Sequence, residues 1–202
     1  HTVCMVAQNT GLDFNGDGWP DVWIGNHMYQ PGLYLNQRDG TFANTIQTVW
    51  QGDPLLDAHA AAWADFDNDG DADLAELSGV NMGTSSHKKY FFVNRAGRLI
   101  DESEARGLND IFTRGRTPLW LDWNNDGRLD LYLSNLRRPE DALSPRRLML
   151  QQGDGSFAEL AGMTRQLDTT LAQLAYFDNA VHLVVQDQNR YPVGVHRMGQ
   201  TA

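Results

Sequence analysis

Three nine-residue stretches, at 13–21, 65–73 and 122–130, carry oxygen ligands at the spacing a hard divalent cation uses. Positions 1, 3, 5 and 9 offer side-chain oxygens. These are Asp13, Asn15, Asp17 and Asp21 in the first, Asp65, Asp67, Asp69 and Asp73 in the second, and Asp122, Asn124, Asp126 and Asp130 in the third. Position 7 is Trp19, Asp71 or Arg128, and unlike side chains are acceptable there if only the backbone carbonyl is needed. Position 6 is glycine each time (Gly18, Gly70, Gly127), as expected where a chain turns sharply through positive φ. Calcium takes about six to eight oxygens at roughly 2.3–2.6 Å, whereas magnesium prefers an octahedral shell that keeps several waters. About three structural calcium ions are the expectation.

An EF-hand shares this opening but needs a bidentate Glu at position 12 and a helix on either side. Position 12 here is Ile24, Glu76 or Leu133. The residues after each loop (Val22 to Ile24, Leu74 to Leu77, Leu131 to Leu133) form short apolar runs bounded by Gly or Ser, which read as strands. Ligand set and context both exclude the EF-hand.

The elements that must position these loops recur with them. The loops start at 13, 65 and 122, a spacing that suits a four-stranded unit rather than a hairpin. Within each unit a second motif follows: Gly32 to Asn36, the Asp39-Gly40 turn and Thr41-Phe42; Tyr90 to Asn94, Ala96-Gly97 and Leu99-Ile100; Arg147 to Gln151, Asp154-Gly155 and Ser156-Phe157. Strand, glycine turn and strand make a β-hairpin. Each unit therefore reads strand A, metal loop, strand B, longer connection, strand C, tight turn, strand D. A fourth unit runs from Gln173 through Phe177, a shortened loop Asp178-Asn179-Ala180, Val181 to Val185, and Val193 to Met198. Its loop has lost the acids at positions 1, 5 and 9, so no calcium is expected there. The expected organisation is one domain over 1–202, with units at roughly 1–50, 51–107, 108–163 and 164–202.

These loops and hairpins, over about residues 13 to 185, resemble the FG-GAP/VCBS repeats that build integrin-α-type β-propellers. The resemblance implies an all-β propeller of about four blades, each a four-stranded antiparallel sheet, with calcium loops between strands A and B of three blades. It also implies an extracellular, secreted or cell-surface setting and a non-catalytic interaction module for adhesion, glycan binding or assembly. The alternative it leaves open is the propeller domain of a polysaccharide-active extracellular enzyme such as a lyase. Two readings of the N-terminus stand: His1 to Ala7 as strand A of the first blade, or Thr2 to Leu12 as the strand that completes the last. The fourth unit has no strand D of its own, and its open edge offers a route to self-assembly.

Antiparallel order puts the A–B and C–D connections at one end of the sheets, and the B–C and D–A connections at the other. The acidic loops load the first end. To the second end the topology assigns Lys88, Lys89, Arg106, Arg114, Arg116, Arg137, Arg138, Arg146 and Arg165, more than half of the 16 Lys and Arg. Of these, Lys88, Lys89, Arg114, Arg116, Arg137 and Arg138 are the candidate contacts for an anionic glycan or an acidic protein partner. Trp63, Trp120 and Trp123 sit at repeat-fixed positions and read as core.

Composition bounds the remaining classes. The 202 residues, 41% hydrophobic with 19 glycines, can bury a core and favour β structure. The formal charge of −10 would fall to about −4 with three bound calcium ions, so much of the acidity is ligand. An acidic chain without a basic stripe excludes nucleic acid as the expected partner. No apolar run reaches the roughly 18 residues of a membrane span. Cys4 has no second cysteine to pair with, and the six histidines show no ligand spacing. No nucleophile elbow, zinc-protease helix or phosphate loop is present.

Overall fold

The computed structural model describes residues 12–26, 29–51, 58–78, 90–108, 114–136, 146–161, 171–177, 180–186 and 192–198. Within them the chain is almost entirely β. The first sheet holds β1 (Val22–Ile24), β2 (Gly32–Asn36) and β3 (Phe42–Asn44). A four-residue helix, α1 (Ile46–Val49), leads to β4 (Trp50–Gln51). The second sheet holds β5 (Ala58–Ala64), β6 (Asp73–Ser78), β7 (Tyr90–Asn94) and β8 (Leu99–Asp101), with β4 on its edge. The third is β9 (Arg114–Leu121), β10 (Asp130–Leu136), β11 (Arg147–Gln151) and β12 (Phe157–Glu159). The fourth is β13 (Leu171–Phe177), β14 (Ala180–Gln186) and β15 (Pro192–Arg197).

Apart from β4, the strands of each sheet form an antiparallel meander in which sequential strands are spatial neighbours. The expected C strands match β2, β7 and β11 residue for residue. The second and third sheets have the four antiparallel strands expected of every unit. In the first, strand A would fall in residues 1–11, outside the described residues, and Leu12 makes a single bridge to Asp21. The second gains a fifth strand, because β4 pairs parallel with β8, Trp50 opposite Leu99. Sequence reading treated that segment as connection. Apolar contact explains the difference: the Trp50 ring lies 4.0 Å from Phe92 and 6.4 Å from Trp23, so the segment crosses to the next sheet to pack its half-buried indole there.

The cores lie between sheets. In β6, Leu74 joins a cluster with Trp23 and Leu33 of the first sheet, while Ala75 and Leu77 join one with Leu131, Leu133 and Met149 of the third. A strand buried on both faces reads as a continuous apolar run, which accounts for a β6 with no exposed residue. A third cluster joins Leu121, Tyr132 and Leu148 to Ala172, Leu183 and Val185 of the fourth sheet. Polar ties cross the same gaps. Trp120 Nε1 donates to Ala62 O at 3.2 Å and Gln151 Nε2 to Phe66 O at 3.0 Å. At Gly115 a Cβ would come within 2.7 Å of the Leu77 side chain, so close approach of β9 to the second sheet requires glycine.

Candidate metal loops and the opposite end

The three loops share one backbone geometry. Both oxygens of the position-1 carboxylate accept main-chain N–H bonds: Asp13 from Asp17 and Gly18, Asp65 from Asp69 and Gly70, Asp122 from Asp126 and Gly127, all between 2.8 and 3.0 Å. The position-5 carboxylate then accepts from the amide of position 7 in each (Trp19, Asp71, Arg128). Position 6 is left-handed, with φ of 83° at Gly18, 96° at Gly70 and 84° at Gly127. Position 4 is left-handed as well: Gly16, Asn68 and Asn125 have φ of 69°, 58° and 59°. Sequence reading missed this second turn, although glycine and asparagine, the residues most tolerant of that region, were the signal.

Position 9 has a structural role of its own. Asp21, Asp73 and Asp130 are no more than 1% exposed. In each, Oδ2 accepts from the position-2 amide (Phe14, Phe66, Trp123) and Oδ1 from the residue ending strand C (Asn36, Asn94, Gln151), at 2.8 to 3.1 Å. The carboxylate thus staples the loop to the hairpin that follows it. The position-2 ring packs against the next sheet: Phe14 in the first intersheet cluster, Phe66 in the second and Trp123 in the third. Trp63 and Trp120 pack toward the preceding sheet, as core. Each loop is therefore anchored on both sides before any ion is considered.

Charge in the loops is crowded. One oxygen from each of Asp65, Asp67 and Asp73 lies within 4.8 Å of the others. Burial, followed by the neighbouring charge of Asp69, pushes the Asp67 carboxyl up. Burial pushes Asp73 up to about 7 against the opposing effect of its two amide donors, and pushes Asp130 up in the same way. Arg95 reaches in from the C–D turn, 3.3 Å from Asp67 and 3.5 Å from Asp69, and Arg38 does so at 3.0 Å from Asp17. A hydrogen bond from Arg38, then one from the Trp19 amide, holds Asp17 below the usual carboxylate range. These contacts place the A–B loops and C–D turns at one end, as the topology requires.

The opposite end is partly described. Lys88, Lys89, Arg137, Arg138 and Arg165 lie outside the described residues, and Arg114 opens β9. Arg116 donates to Gly115 O at 2.7 Å and touches His59 Nδ1, so it bridges the first strands of the second and third sheets. Arg106 belongs to the other end. It pairs with Glu102 at 2.7 Å, donates to Gly155 O and lies 5.3 Å over the Phe66 ring. Arg146 is 3% exposed rather than a surface cation. Glu76, where the other two copies carry Ile24 and Leu133, is 1% exposed and unpaired among the described residues. Burial drives its carboxyl well above the usual range.

The repeated loop, hairpin and intersheet ring agree with a comparison against known families, where residues 13–75 match the family model of the FG-GAP-like repeat. Over those residues the chain is similar to an FG-GAP-like repeat. The match covers the first loop, the first sheet and the second loop as far as β6. The chain is also similar to Cartilage acidic protein 1 of Mus musculus, Homo sapiens and Xenopus tropicalis, at 25%, 24% and 23% identity over 116 residues. That is 57% of this chain and 17% of each relative, so the aligned part spans about a sixth of those proteins. No helix among the described residues is long and apolar enough to cross a membrane.

Proposed function

We propose that the chain is a calcium-stabilised, extracellular module of propeller type that binds a glycan or protein partner through the end of its sheets opposite the metal loops. The observation that supports calcium most is the threefold repetition of one loop geometry, a doubly left-handed turn folded around the position-1 carboxylate, with oxygens of Asp65, Asp67 and Asp73 within 4.8 Å of one another in the second copy. The residues fit the ion. Asp13, Asn15, Asp17 and Asp21 would hold one, Asp65, Asp67, Asp69 and Asp73 a second, Asp122, Asn124, Asp126 and Asp130 a third, with the position-7 carbonyls of Trp19, Asp71 and Arg128 completing each set. The ion would supply positive charge where burial and repulsion now raise the carboxyls, reversing the direction of those shifts. The amides already holding Asp73 and its counterparts would keep the loop shaped for it.

An extracellular setting is supported by the FG-GAP-like repeat together with the relatives named above. The remaining repeats of a longer propeller, or a ring closed by the residues before Leu12, would cover the outer faces of the first and fourth sheets. The calcium-loaded chain should bind immobilised acidic polysaccharide or an acidic protein saturably and release it unchanged. Cleavage of the polysaccharide into unsaturated fragments would establish a lyase instead, and no binding to any acidic partner would refute the interaction reading.

A further inference from the structure

Beside the third sheet lies a buried cation for which no ion pair is found among the described residues. Arg146 stands immediately before β11 and is 3% exposed, yet Nε and Nη1 have no hydrogen-bond partner among the described residues. A guanidinium stays charged at any physiological pH, and a buried charge without a counter-ion is strongly unfavourable.

Register shows where it lies and what is beside it. The β10–β11 ladder ends with Leu133 opposite Arg147, and continuing it by one position would set Ser134 opposite Arg146. Leu148, two residues along from Arg146, packs in the cluster shared with Leu183 and Val185 of the fourth sheet, and strand alternation puts Arg146 on that side. Ser134 is fully buried, and its Oγ accepts the Thr117 amide at 2.8 Å, leaving its proton for another acceptor. Two groups that can only gain from an acceptor therefore share one position between the third and fourth sheets, at the end away from the acidic loops. Arg147, the adjacent cation, is taken up by Glu159 at 3.5 Å on the other side of the sheet.

We propose that Arg146, with Ser134, forms an oxyanion site that takes the carboxylate or sulfate of an acidic saccharide. A planar guanidinium fork matches either group, and a buried hydroxyl adds a third donor. The inference rests on the reading of this end as the binding end, and gives it a residue and a ligand chemistry.

The test is thermal unfolding of the calcium-loaded chain with inorganic sulfate, D-glucuronate or neutral glucose at matched ionic strength, for wild type, Arg146→Met and Ser134→Ala. At ten times Kd the wild type should gain about 3 °C from the anions and nothing from glucose. Arg146→Met should unfold at or above the wild-type temperature without anion, because an unpaired charge is gone, and should not respond to anion. Ser134→Ala should respond with an affinity about tenfold weaker. Equal anion shifts in wild type and Arg146→Met would overturn the proposal, as would a clear loss of stability in Arg146→Met without anion. A response to sulfate alone keeps the oxyanion site and removes uronate as its source. Polysaccharide binding that survives Arg146→Met would overturn the site while leaving the interaction module. An intact sulfate shift with no polysaccharide binding would do the reverse.

Discussion

Asp73 accepts the backbone amide of Asn94 at 2.8 Å, a bond that ties the last residue of the second metal loop to the last residue of strand β7, 21 positions later. The same carboxylate holds the Phe66 amide at 3.1 Å. Asp21 and Asp130 repeat the arrangement with Asn36 and Gln151. Loop, hairpin and intersheet ring are thus one mechanical unit.

Asp73→Asn should therefore be costly even without metal. One of its two acceptors becomes an amide nitrogen facing an N–H donor, and a buried unsatisfied group costs about 1–3 kcal/mol. Urea unfolding in chelator should show a loss of that size, against less than about 0.5 kcal/mol for Asp71→Asn, which gives only its carbonyl. Equal effects would remove the staple from the account.

Glu76 gives a pH dependence of definite sign. Its folded pKa is raised by burial, so the folded state keeps a proton that the unfolded state releases above its ordinary value near 4.5. Stability from this group is fully present below that value and is lost as pH rises through the folded pKa. Glu76→Leu, which installs the kind of residue found at Ile24 and Leu133, should stabilise by about 1–4 kcal/mol at pH 8 and much less at pH 4. A variant equally stable at both pH values relative to wild type would contradict this.

Gly70 has φ of 96° with open space around it, so Gly70→Ala should cost roughly 1–2 kcal/mol from backbone strain alone. Gly153→Ala, also in open space but without the left-handed backbone, should be nearly neutral. Chemical denaturation of the pair checks it, and similar losses would mean that space rather than conformation decides.

Much of this was legible in the sequence because it is periodic. Oxygen ligands at alternate positions, glycine at position 6 and apolar strands between turn residues are local patterns, and they located the loops and all three C strands. What escaped was set by other parts of the chain. Trp50 joins a sheet other than its own because its indole packs on Phe92 there. Asp73 finds its second donor 21 residues away, and Arg106 turns toward Phe66 and Gly155 of a neighbouring turn. The pattern placed Glu76 on a strand and Arg146 in a connection, but only the packing of adjacent sheets decided that both are buried. Position 4 was readable, since Gly16, Asn68 and Asn125 are all residues that accept positive φ.

The central claim is that three loops hold three structural calcium ions. The most direct measurement is the calcium content of the purified chain after dialysis, paired with thermal unfolding before and after chelation. Three ions per chain, with a loss of at least about 10 °C on chelation, is the expected result. No bound calcium and an unchanged unfolding temperature would contradict it, leaving the three loops as turns held by their carboxylate-to-amide bonds alone.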